Sequence, residues 1–281
     1  MKIFKLTISA AVLLCSGCMT VEKLQARTVR QLFEFVSRLG DSRQLTISIQ
    51  ADDALYTIVH IRQQHYSALY NRSIEKQIEE ESNPEKIAAL KERYFEQICQ
   101  INAVQKEIYN FLLPATSGKD FLFVEGRSYP HHYRDTFLAE FIPESISDVQ
   151  KILDQKGDFS RPVPQPPYFL GASMLIHQER KMTVLGAENL ALLNLTLSLY
   201  ENKKLSGAAL NSLLKECHEA REDQMIKNVL EDIEDLNYRM RSLRFLICGS
   251  KHDFKENIEK WNKANPQKKV NLLVFTPASL M

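Results

Sequence analysis

The sequence predicts an α/β fold: a largely parallel central sheet of about five strands flanked by helices, with two strands placed to pair as an antiparallel hairpin at one edge. Three observations predict it. Short apolar runs alternate with helical stretches, the rhythm of parallel strands joined by helical crossovers. Several runs stop at a glycine with a histidine or glutamate close by. Residues 245–248 lead into Gly249 and His252, 121–124 into Glu125 and Gly126, and 182–185 into Gly186 and Glu188. Open α/β sheets gather their functional groups at such carboxyl ends. Finally, Ile87, Leu90, Tyr94, Ile98, Ile101, Val104, Ile108 and Leu112 recur at steps of three and four, the stripe of a long amphipathic helix.

The elements follow in order. Residues 21–39 read as a helix, stopped by Gly40, Asp41 and Ser42. Residues 45–50 and 55–61 read as strands around a turn at Asp52 and Asp53, the expected hairpin. Asn83 suits a helix N-cap and Pro84 the first helical position, so the long helix starts there and Pro114 ends it. A strand at 121–124 follows. The aromatic stretch 129–143, with His131 and His132, reads as irregular. Four prolines in 158–167 make a stiff connector or a loop over the site. Residues 168–178 read as a helix, 182–185 as a strand, 188–201 as an apolar helix and 205–240 as one long helix or two. The strand at 245–248, a helix around Trp261 and a strand at 270–276 complete the chain.

The chain of 281 residues begins with Lys2, Lys5 and a short apolar run to Leu14, too short to span a bilayer. Ser16 and Gly17 before Cys18 resemble a bacterial lipoprotein cleavage site, with Cys15 where that pattern has leucine. The expectation is a signal peptide over residues 1–17 and a single domain over 18–281, held in the cell envelope by a lipidated Cys18 on a bacterial membrane. Without Lys2 and Lys5 the chain has 34 basic and 35 acidic residues, a balance that offers no footprint for nucleic acid. Cys99, Cys217 and Cys248 are too few and too scattered for a disulfide framework and read as free thiols.

Five residues carry the candidate chemistry. His65 and His252 stand beyond strand ends, where imidazole serves as metal ligand or general base; His60 competes with His65 and, if its strand runs on, points into a helix layer instead. Glu125 and Glu188 end apolar runs, and a carboxylate there needs a metal, an arginine or backbone amides. Glu188 also suits the start of a helix. Arg221 falls on the apolar stripe of Leu214, Cys217 and Met225, so it needs carboxylate partners or an anionic ligand, unless its stem packs and its head escapes to solvent. His218 and the pair His131 and His132 are weaker candidates. The common motifs of zinc peptidases, serine esterases and nucleotide-binding loops are missing from the sequence.

This set resembles the superfamily that joins TraB-like and TIKI proteases, GumN-like proteins, ChaN-like haem-binding lipoproteins and erythromycin esterases. Gly249 to His252 is similar to its second G-x-x-H motif, Arg221 to its late-helix arginine, and Glu125-Gly126 and Gly186-Ala187-Glu188 to its acidic strand ends. Arg62 stands where the first motif has glycine, three residues before His65. The resemblance implies hydrolysis of a peptide, ester or amide bond, with a divalent metal ion as cofactor. His65 and His252 would be metal ligands or base, Glu125 and Glu188 acid/base groups or ligands, and Arg221 a clamp for a carboxylate or oxyanion. Its other branch implies a non-catalytic lipoprotein that binds haem or another small-molecule or peptide ligand. Expressed in a Gram-negative host, the parent chain is expected in the detergent phase on phase partitioning, and Cys18→Ala in the aqueous phase or unprocessed; a variant that matures and partitions like the parent removes Cys18 as the anchor.

Overall fold

The computed structural model describes residues 44–51, 53–66, 68–118, 120–129, 135–201, 207–231 and 243–281. The expected signal peptide, Cys18, the helix at 21–39 and the histidines at 131 and 132 lie outside them. The architecture is α/β, with one six-stranded sheet in the order β1-β6-β2-β5-β3-β4. The strands are β1 (Leu45–Ile49), β2 (Tyr56–Gln63), β3 (Phe121–Ser128), β4 (Thr183–Glu188), β5 (Leu243–Gly249) and β6 (Val270–Phe275). All neighbours are parallel except β1 and β6. The predicted hairpin is thus replaced: β1 does sit antiparallel at the edge, but against β6, and β6 lies between it and β2. Adjacency in sequence suggested the pairing, whereas β2 forms parallel ladders with β5 and β6 on its two sides.

The helices are α1 (Ala68–Glu80), α2 (Pro84–Ala115), α3 (Asp135–Asp154), α4 (Ala172–Arg180), α5 (Leu190–Glu201), α6 (Gly207–Glu231) and α7 (Lys255–Ala264). Asn83 caps α2 as expected, its side chain accepting from the amides of Glu85 and Lys86 at 2.9 and 3.3 Å. At 32 residues α2 is about 48 Å long, so only part of it fits on the sheet. Its carboxyl half packs Val104, Ile108, Phe111 and Leu112 against Val59, Ile61, Leu122, Phe245, Ile247 and Phe275, together with Ala172 and Ile176 of α4. On the opposite face, Met225, Ile226, Val229 and Leu230 of α6 and Ile258 of α7 cover Ile58, Phe123, Leu185, Leu246 and Leu272. Central strands covered on both faces read as unbroken apolar runs, which is why the sequence disclosed them.

The amino half of α2 extends past the sheet into a third cluster. There Tyr94, Phe95, Ile98 and Ile101 meet Ile74 and Ile78 of α1, Val149, Ile152 and Leu153 of α3, and Val163 from the proline-rich connector. That connector therefore docks on α2: Arg161 lies 4.1 Å over the Phe95 ring and pairs with Glu92. Neither α1 nor α3 was foreseen. The buried positions of α1 keep a thin stripe of one apolar residue per turn, and α3 runs through Pro143 in what reads as an irregular segment.

Connections leave the sheet in two directions. The chain moves outward from β2 to β3 and β4 by helices on the α2 face and returns from β4 to β5 and β6 by helices on the α6 face. The segments following β5 and β3, which are neighbours, diverge to opposite faces and leave a crevice at their carboxyl ends. Leu246, 0% exposed, lies in β5 between β2 and β3. Leu246→Asp puts an unpaired charge there, at a cost on the order of 5 kcal/mol, comparable to the stability of a whole domain; its thermal melt is expected to lack the parent's cooperative transition.

Candidate functional site

The crevice holds a chain of charged groups from four elements. Glu125 lies in β3 where pairing with β4 breaks register between Val124 and Ser128, and Gly126 takes φ +80°. Such a bulge re-aims side chains. The Glu125 carboxylate accepts the Gly249 amide on Oε2 at 2.5 Å, and on Oε1 it accepts His252 Nε2 at 3.0 Å and Arg221 Nη2 at 3.4 Å. Gly249 is required by close approach: a Cβ there would sit 3.1 Å from Glu125 Oε2. Glu188, at the last position of β4 and with its side chain fully buried, takes Arg221 through two bonds, from Nε to Oε2 at 3.3 Å and from Nη2 to Oε1. Asn189, rather than Glu188, caps α5, so the helix-start alternative does not hold.

His252 follows β5 in the turn before α7. Its Nδ1 lies 2.8 Å from Glu222 Oε1 and its Nε2 meets Glu125, while its ring stacks on Phe254 at 5.7 Å. Facing a carboxylate on each side, both nitrogens donate, which makes the ring an imidazolium. Burial alone would lower its pKa, but the hydrogen bonds and charges of Glu125 and Glu222 overcome this and raise it to about 9. Burial likewise works against ionised Glu125, and the His252 bond and charge with the Gly249 amide outweigh it, holding the carboxyl at about 2.

Four of the five expected residues, Glu125, Glu188, Arg221 and His252, therefore meet in one place. His65 does not join them by contact. It is exposed, with Nδ1 donating to the Tyr66 carbonyl at 3.0 Å. Only its charge reaches Glu125, as the weakest influence lowering that carboxyl. The reason is register: β2 runs to Gln63, which is level with Gly249, so the segment from Arg62 to His65 is one residue out of step with Gly249 to His252. His60 sits inside β2, edge-on to Phe254 at 4.8 Å, with Nε2 unpartnered and burial depressing its pKa to about 3. It points into the helix layer.

Two further residues belong to the site. Glu222 holds His252 from below, and His218, one turn earlier on α6, lies with its ring centre 6.2 Å from that of His252 and its Nε2 3.0 Å from the Tyr200 hydroxyl. Burial, followed by the positive charges of Arg221 and His252, lowers the His218 pKa below its usual 6.5. Two imidazoles thus sit side by side with opposite protonation preferences, the usual mark of an acid and a base. The signal in the sequence is their spacing: 218, 221, 222 and 225 share one helical face.

The donor set does not fit a divalent metal in this arrangement. Among the described residues no three His, Cys, Asp or Glu side chains gather to hold one, and both His252 nitrogens are committed to carboxylates. Tyr129 packs against the cluster under α6 and gives its amide to the Glu188 carbonyl at 2.9 Å. Comparison with known families, curated proteins and solved structures found no match.

The raised pKa of His252 has a sign. Stability from its ion pairs is fully present below pH 6.5, the unfolded value, and is lost as pH climbs through about 9. The shift corresponds to about 3 kcal/mol, shared with the carboxylates that cause it. Urea midpoints are expected to fall for the parent between pH 7 and 10, and to vary less over that window in His252→Gln; parallel curves would mean that His252 titrates as in the unfolded chain.

Proposed function

We propose that this chain is a hydrolase of the TraB/TIKI-like type, anchored in the cell envelope through a lipidated Cys18, that cleaves a peptide, ester or amide bond. One observation carries the reading: Glu125, Glu188, Arg221 and His252, from three strand ends and a helix, form a single buried network in the crevice at the carboxyl edge of the sheet. The Glu188 end is sealed, whereas the side chains of Glu125 and Glu222 retain 16% and 14% exposure. Substrate therefore meets the network at His252.

The two histidines divide the labour. His218, held neutral, takes a proton from the attacking water as its oxygen bonds to the carbonyl carbon. His252, held charged, gives a proton to the nitrogen or oxygen that leaves. The proton gained at His218 replaces the one lost at His252 through solvent, and one water is consumed per bond broken. Glu125 and Glu222 fix the His252 ring, and Arg221 holds Glu125 beside Glu188. The leaving atom reaches the His252 proton by displacing one of the two carboxylates, Glu125 or Glu222, from the ring.

The second reading is a non-catalytic binding lipoprotein of the ChaN type. It is favoured by saturation of the network, since both His252 nitrogens and both Glu125 oxygens are already bonded, and by Arg62 in the place of a motif glycine. A panel of chromogenic esters, arylamides and peptides separates the two readings. Against the best substrate, His252→Ala is expected to lower kcat/KM by about 10²–10⁴-fold while retaining the parent's circular dichroism. Turnover unchanged in the variant would end the hydrolase reading, and stoichiometric haem uptake with a Soret band would establish the second.

A further inference from the structure

Arg62, one residue short of the end of β2, is half-buried, and its Nε is enclosed without a hydrogen-bond partner. Among the described residues no carboxylate pairs with its guanidinium. A cation partly removed from water and left without an acceptor is costly to keep. Arg221, the other arginine at the site, differs in both respects. Its side chain is 6% exposed and already divided between Glu188 and Glu125, so it is closed to a ligand.

Strand alternation and register place Arg62 beside the network. Ile58 of β2 packs under α6 and α7, and His60 meets Phe254 there, so Arg62 projects to the same side of the sheet. In β5 its partner is Cys248. The register that joins Val124 to Ile247 puts Glu125 level with Cys248 in turn, and Phe123 shows that Glu125 shares the α6 face. Arg62, Cys248 and Glu125 therefore form one row across the carboxyl edge. Two strand spacings, about 10 Å, separate the backbones of the outer two. Cys248 in the middle is covered by Met225, sulfur to sulfur at 3.8 Å. Glu125 is turned to Gly249, Arg221 and His252, which leaves Arg62 unpaired on the far side of that contact.

The potential at the Arg62 end of the row is positive. His60, two residues back on the same face, is reached by the charges of Arg62, His252 and Glu125, and both cations act on it more strongly than the carboxylate. On the turn around His252, Lys251 is exposed and adds to this, while Asp253 is turned to the Lys255 amide at 3.2 Å. Glu125 and Glu222 keep some exposure at the same opening and would repel a phosphate dianion more than a singly charged carboxylate.

We propose that Arg62 anchors the carboxylate of a small acidic ligand at the mouth of the crevice, with the rest of the ligand reaching across the row toward His252. The row, about 10 Å from β2 to β3, is the span of about three extended residues. The anchor is defined by binding and holds whether or not His252 is catalytic. Resting on the hydrolase reading, it also names the substrate class: a peptide or amide with a free carboxylate within about three residues of the bond that breaks.

Isothermal titration of the parent chain with N-acetyl-L-alanyl-L-alanine, the same dipeptide as its carboxyl-terminal amide, and inorganic phosphate tests the anchor. The acid is expected to bind about tenfold or more tighter than the amide, and tighter than phosphate. Arg62→Gln is expected to weaken the acid about tenfold or more and to leave the amide within about twofold, which erases the preference. Arg62→Met keeps the apolar stem, is expected to do the same, and stands in if Arg62→Gln loses the parent's circular dichroism. No heat from the acid at millimolar concentration, equal binding of acid and amide, tighter binding of phosphate, or the parent's preference kept in a folded variant would each overturn the anchor. Binding and turnover separate the two proposals. Acid bound by a chain that cleaves nothing keeps the anchor without the hydrolase, and cleavage with no preference for the acid keeps the hydrolase without the anchor.

Discussion

Arg221 is the constraint on which the crevice depends. It joins α6 to β4 through Glu188 and to β3 through Glu125, with only 6% of its side chain exposed. Two carboxylates brought together out of water repel each other and resist ionisation unless a cation lies between them. The guanidinium is that cation, and its planar fork permits the two-point hold on Glu188 while a free N–H reaches Glu125. Glu125, placed by that contact and by the Gly249 amide, then meets His252, whose bond and charge keep its carboxyl ionised. Three carboxylates and two cations alternate along the chain from Glu188 through Arg221, Glu125 and His252 to Glu222, so each charge has an opposite neighbour.

The order of that chain also sets a gradient of access. Glu188 is sealed against β4, and the exposed fraction rises toward Glu125 and Glu222. The sealed end is the structural half and the open end the half that meets solvent. His218 belongs to the open end and completes it: burial lowers its pKa, and so do the cations that hold the carboxylates.

Much of this was legible in the sequence, for physical reasons that can be named. Strands β2, β5 and β6 are buried on both faces, so their apolar runs were unmistakable. Arg221 betrayed itself by standing on an apolar stripe, and Glu125 and Glu188 by ending apolar runs. What stayed hidden were relations between distant segments. The partner of β1 is β6, more than 200 residues away, and nothing local distinguishes that pairing from a hairpin. Glu222 and His218 look like solvent-facing charges on a charged helix until a histidine from another element arrives beside them. His65 follows a strand end, but Gln63 rather than Arg62 is level with Gly249, so the histidine falls one residue out of step with His252. Helix α1 covers an outlying part of α2 with few apolar residues, too thin a pattern to stand out, and α3 passes through Pro143, which reads as a break.

Gly249 and Glu125 are 124 positions apart, yet the space that one leaves is the space that the other fills. A methyl group at 249 fits only if the carboxylate at 125 retreats, as it would on a side chain one carbon shorter. Retreat would in turn draw the acceptor away from Arg221 and His252 together. The two positions are therefore a single steric unit with two addresses in the chain. Motif reading that treats the glycine as a turn residue, free to vary with the loop around it, mistakes a socket for a hinge.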